Sequence, residues 1–160
     1  ASAYIDIIRG TPTTVQLLIM WSGILATCKN SVLIASLTFG INSGAYVAEI
    51  VRAGILAVDK GQMEAARSLG LSYAKSMQKI ILPQAVRICL PSLVNQFIIT
   101  LKDSTILYAI GLSEVMYNAK IYVGRTMESF ATYTWVAVFF LLIVTVLSFI
   151  SRYVERRMNA

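Results

Sequence analysis

The side chains best suited to chemistry in this chain are polar groups set inside apolar runs. Asn42, Tyr46 and Glu49 fall at i, i+4 and i+7, which puts them on one face of a helix. Further on, Asn95 precedes Lys102 by seven residues and Gln96 precedes Asp103 by seven, a polar stripe up one side of a second helix. A charge at the centre of a bilayer costs roughly 2.5–3.5 kcal/mol on insertion scales, so such residues face a bundle interior or a wet pathway. The chemistry open to this set is recognition. Lys102 and Asp103 offer one charge of each sign, as a zwitterionic ligand does. Asn42, Glu49, Asn95, Lys102 and Asp103 are therefore the candidate pathway residues. Two blander readings stand beside this one: a structural charge network that no ligand touches, and a Glu49–Arg52 pair at the membrane edge.

Bond-making chemistry has little to stand on. The chain holds no His, no phosphate-cradling GxxxxGK[ST] loop, no nucleophile elbow and no paired carboxylates at helical spacing. Cys28 and Cys89, without any His, do not make a metal set. No catalytic residue, resident cofactor or metal is expected.

The elements that must position these residues are membrane helices. Hydrophobic residues make up 57% of the sequence and charged residues 14%, with mean hydropathy +0.69; a soluble domain carries about 25% charged residues. A helix crossing a ~30 Å hydrocarbon core needs roughly 20 apolar residues. Four segments approach or reach that length, at about 13–28, 31–51, 88–110 and 129–151. The first is short and interrupted by Gln16, and the fourth carries no charge. Lipid leaves backbone groups no partner outside their own segment, so all four read as helices. The formal net charge of +6 lies mostly in the gaps between them, which favours membrane topology over a nucleic-acid face. Residues 52–87 hold six Lys or Arg (Arg52, Lys60, Arg67, Lys75, Lys79, Arg87) against Asp59 and Glu64, a net of +4. The tail adds Arg152, Arg156 and Arg157 against Glu155. The positive-inside rule then places the connector, the C-terminus and Arg9 in the cytoplasm. It also sets Cys28 and Cys89 on opposite faces, which argues against a disulfide.

The connector 52–87 reads as two short helices joined at a glycine. Gln62–Leu69 has good helix formers, and Gly70 can take the left-handed conformation that ends a helix. Ser72 suits an N-cap, after which Tyr73, Met77, Ile80 and Ile81 share a face; Pro83 is expected to stop this second helix. Ala65, Ala66 and Gly70 are small residues beside Glu64 and Arg67, suited to a helix pushed into another protein's cleft. The bland alternative pairs Glu64 with Arg67 at the surface. In the second apolar segment Ser36, Gly40, Gly44 and Ala48 recur every four positions, a groove for close packing within the subunit or against a second copy. Tyr4, Tyr122, Tyr133 and Trp135 read as interface anchors.

Glu64-Ala65-Ala66, then Gly70, then nine residues, then Ile80, Ile81, Leu82 and Pro83 resemble, without a gap, the EAA motif of ABC importer permeases. Arg9-Gly10-Thr11-Pro12, Asn42-Ser43-Gly44-Ala45-Tyr46, Leu82-Pro83-Gln84-Ala85 and Leu101-Lys102-Asp103-Ser104 look like the polar amino acid (glutamine, histidine and arginine) branch of that family. The similarity covers nearly the whole chain. It implies an all-α membrane protein: four transmembrane helices of a five-helix ABC importer permease core plus a cytoplasmic two-helix coupling segment, one transmembrane domain over 1–160. The fifth helix is expected to precede Ala1. It further implies that Glu64, Ala65, Ala66, Arg67 and Gly70 couple the chain to a cytoplasmic ATPase dimer, the subunit that binds ATP and Mg. A second permease subunit and an extracytoplasmic solute-binding protein complete the implied set, in the bacterial inner membrane. Polar amino acids would cross by alternating access. An ATP-independent channel or secondary transporter is the main rival, and the EAA spacing counts against it. A non-transporting scaffold leaves the intramembrane charges unexplained.

Overall fold

The structure, a computed structural model, describes residues 2–158, with side chains through Tyr153. The side chains of Glu155, Arg156 and Arg157, part of the expected basic tail, lie outside the described residues. Seven helical elements follow in order: α1 (Ser2–Arg9), α2 (Thr13–Ile24), α3 (Ser31–Leu56), α4 (Lys60–Ser68), α5 (Tyr73–Ile110), α6 (Val115–Thr126) and α7 (Ser129–Met158). Among the described residues no strand is present.

Three helices are long and apolar enough to cross a membrane: α3, α5 and α7 over Ser129–Tyr153. The 26 residues of α3 span about 39 Å at 1.5 Å per residue. The apolar segment expected over 13–28 is helical over a shorter stretch, with seven α-helical residues followed by a five-residue π turn. α2 folds back along α3 and buries Leu17 completely, in a small core with Ala35 and Ile110. Gln16, the polar interruption of that run, bonds the turn before it. Its Nε2 donates to the Ile8 carbonyl (2.7 Å), the Thr11 carbonyl (3.1 Å) and Thr11 Oγ1 (2.8 Å).

Side-chain caps mark most helix starts. Asn30 Oδ1 accepts from the Leu33 N–H at 3.1 Å, Asp59 Oδ1 from the Gly61 N–H at 2.7 Å, and Ser72 Oγ from the Lys75 N–H at 3.4 Å. The Glu114 carboxylate takes the N–H groups of Met116 and Tyr117 at 2.7 and 2.6 Å, starting a helix, α6, in what the sequence suggested was a plain gap. α4 ends as expected: Gly70 has φ +82, and the Leu71 N–H returns to the Ala66 carbonyl at 3.2 Å.

Pro83 does not stop a helix. Instead α5 runs 38 residues from Tyr73, so the connector's second helix and the expected crossing at 88–110 are one element. Met77–Ile81 form a π turn, and Pro83 sits in the first turn of the α stretch Leu82–Asp103 that follows. Inside a continuous helix a proline has no N–H to give and its ring crowds the carbonyl one turn back, and the wider π turn before Pro83 relieves that clash.

α3 and α5 cross closely at Gly54, where an added Cβ would stand 2.0 Å from Cys89 Sγ and 3.2 Å from the Ala85 carbonyl oxygen. The Cys89 thiol donates to the Ile50 carbonyl at 3.4 Å. Both cysteines are free. The Ser36-Gly40-Gly44-Ala48 stripe does not make this contact; all four residues are exposed, and nothing lies within 4 Å of a Cβ added at Gly40.

Candidate functional site

Just beyond Gly54, α3 and α5 separate around a cavity of about 410 Å³. Its α3 wall carries Tyr46 and Glu49, and its α5 wall Pro91, Ser92, Asn95 and Gln96. Arg9 reaches it from the end of α1. That short helix is tied along α3 by the Tyr4 hydroxyl, which donates to the Ile41 carbonyl, and by Arg9 itself. The Arg9 guanidinium lies 5.4 Å from the Tyr46 ring centroid and 3.9 Å from Glu49 Oε1. Glu49 is bound more closely by Arg52, whose Nε donates to Oε2 at 3.2 Å and whose Nη2 donates to Oε1.

Of the expected pathway residues, the fold brings Glu49 and Asn95 to this cavity. Asn42 is elsewhere: it is buried, with Nδ2 donating to Gln16 Oε1 at 3.0 Å, and it locks α2 to α3. Lys102 and Asp103 close the α-helical stretch of α5, about 10 Å further along the axis from Asn95 and Gln96. They make no salt bridge among the described residues. Glu49 does pair with Arg52, as the bland reading had it, yet it lines the cavity as well. Sequence reasoning missed Arg9 as a site residue. Its place depends on how the turn at Gly10 and Thr11 sets α1 against α3, which residue spacing does not give.

The second constellation is α4. Its inner side rests on a core of Val58, Ile81 and Ala85, with Ile55, Met63, Met77 and Ile80 around it. Glu64, Ala65 and Arg67 are exposed, and Leu69 is 84% exposed. Ala66, expected in the docking set, is 2% exposed and packs α4 against its own chain. Glu64 does not pair with Arg67; no salt bridge joins them among the described residues. The exposed face thus keeps its charges uncommitted, 8 residues or fewer along the chain from Ser72, the cap of the helix that walls the cavity.

Over residues 1–160 the chain matches the profile of the binding-protein-dependent transport system inner membrane component. The chain belongs to this family. The resemblance read from the EAA segment therefore holds, and the permease is a multi-pass inner-membrane protein. It is 40% identical over 164 residues to the glutamine transport system permease protein GlnP of Escherichia coli (strain K12), covering 99% of this permease and 74% of that protein. It is 37% identical over 163 residues to the arginine transport system permease protein ArtQ of Bacillus subtilis (strain 168), covering 100% and 74%. An amino acid ABC transporter solved with histidines superposes with a TM-score of 0.92 at 42% identity, over 98% of the permease and 74% of that chain. The inward-facing MetNI methionine ABC transporter shares the fold, with a TM-score of 0.81 at 20% identity over 98% and 73%.

Proposed function

We propose that this permease is the membrane-spanning subunit of an ATP-driven importer of polar amino acids. Its exposed α4 face (Glu64, Ala65, Arg67) docks in a cytoplasmic ATPase subunit, with Gly70 shaping the turn behind it. ATP and Mg bind to that partner, where hydrolysis occurs. Substrate passes the cavity bounded by Arg9, Glu49 and Asn95, delivered by an extracytoplasmic solute-binding protein, and a second permease subunit faces this one. Residues 1–160 form one transmembrane domain, with the connector and the C-terminus in the cytoplasm and Lys102 and Asp103 further along the same pathway.

One observation carries this reading. α5 is a single helix whose first turns, at Met77 and Ile81, pack under α4 and whose middle, at Ser92 and Asn95, walls the cavity. A push on α4 reaches the cavity without crossing a loop. The amino acid class follows the names of the relatives and the pairing of charge signs in the cavity. Proteoliposomes holding the whole complex are expected to take up at least one labelled polar amino acid with ATP and none without it. Absence of ATP-dependent uptake of every amino acid tested overturns the proposal.

A further inference from the structure

The charges around the cavity do not balance, and the imbalance bears on what the cavity accepts. Arg52 takes both Glu49 oxygens, one through Nε and one through Nη2. Arg9 stands 3.9 Å from Glu49 Oε1, outside hydrogen-bond reach, with its guanidinium over the Tyr46 ring. Its five N–H donors form the planar fork that fits a carboxylate two bonds at a time. Arg9, Glu49 and Arg52 together sum to +1. The opposite wall supplies no charge: Pro91, Ser92, Asn95 and Gln96 are all neutral. Gln96 is buried, and its Nε2 donates to Thr100 Oγ1 at 3.4 Å; Asn95 is exposed toward the cavity side of α5.

Resting on the reading of this cavity as the substrate's, we infer that it selects by side-chain charge, admitting amino acids with a neutral polar side chain ahead of cationic ones. Arg9 receives the α-carboxylate, and because the amino acid's own α-ammonium offsets that carboxylate, the local sum stays at +1 and repels a second cation. Asn95 and Ser92 offer hydrogen bonds to an amide or hydroxyl side chain. A cationic side chain finds no free carboxylate there, because Glu49 is already held by Arg52. One unmatched charge at roughly 10 Å and an effective dielectric of about 20 corresponds to about a tenfold difference in affinity.

The test is equilibrium dialysis of labelled glutamine and arginine against the purified permease–ATPase complex without the solute-binding protein. Glutamine is expected to bind about tenfold more tightly than arginine. Arg9→Gln is expected to weaken both, since both present the same α-carboxylate. Asn95→Asp adds a carboxylate to the neutral wall and is expected to tighten arginine about tenfold, a gain that misfolding cannot mimic. Equal or tighter arginine binding by the unaltered complex, an unchanged ratio in Asn95→Asp, or no binding of either amino acid overturns the inference. ATP-driven uptake by the same preparation, supplemented with its binding protein, separates the two readings. Uptake without the expected selectivity sinks the inference alone, while no uptake of any amino acid sinks the importer reading beneath it.

Discussion

Where α3 meets α5 at Gly54 there is no room for a methyl group, whereas five residues back along α3, at Glu49, the same two helices stand apart around 410 Å³. The tight end is apolar: Gly54, Val58, Ile81, Ala85 and Cys89 are all buried. The open end is lined by Arg9, Tyr46, Glu49 and Asn95. Close packing resists deformation and transmits displacement. A polar void accepts a solute and the water that travels with it. Under the proposed function the two jobs of a transporter fall to neighbouring stretches of one helix pair, and the contrast can be broken or sharpened by substitution.

The largest effect belongs to Gly54. Gly54→Val is expected to destabilise the permease by about 1–3 kcal/mol or more, because the branched side chain meets Cys89 Sγ and the Ala85 backbone. Thermal unfolding of the purified complex measures it. With the smaller Gly54→Ala, adding Cys89→Ala is expected to recover most of the loss; no recovery would mean that the thiol is not the obstacle. Next comes Ile81→Ala, which empties the core under α4 and is expected to cost about 2–3 kcal/mol. ATP hydrolysis should then continue with less uptake per ATP consumed.

Glu64→Lys should leave the melting temperature close to that of the unaltered protein, since the side chain is exposed and has no salt bridge among the described residues. It is nevertheless expected to uncouple hydrolysis from uptake. Wild-type transport by this variant would count against α4 as the docking face. The smallest change in stability is expected for Asn95→Ala, within about 0.5 kcal/mol, with its effect confined to substrate affinity. A melting shift as large as that of Ile81→Ala would show that the open end is structural after all.

Much of the framework could be read from the sequence, because apolar length and charge placement are local quantities. The apolar runs at 31–51 and 129–151 lie inside α3 and α7, and Gly70 and Ser72 cap as their types dictate. Pro83 misled because a proline's effect depends on the turn before it, and the π turn at Met77–Ile81 has no sequence signature of its own. The small-residue stripe is not the contact between α3 and α5, for a related reason. Spacing identifies a face that permits close approach, yet only the partner's position decides which glycine is used, and Gly54 lies outside the stripe. Half of the cavity was legible, through Glu49 and Asn95. Arg9 was not, since its place beside Tyr46 depends on how α1 lies along α3. α6 could have been anticipated from Glu114, an acceptor standing directly before a helix-compatible run.

The π turn in α5 carries a further consequence, for the spelling of the gene rather than the motion of the protein. Each residue of an α-helix advances its side chain by about 100°, so one codon gained or lost between Ala85 and Ser92 would rotate the cavity wall away from its neighbours while α4 stayed seated. A π turn is one residue wider than the α turn it replaces, and deleting Gln78 would convert it to an ordinary turn. Chain length in this stretch is therefore as much a determinant as residue type. Substitutions in α5 can be graded in effect, but an insertion or deletion outside the π turn resets every contact downstream at once.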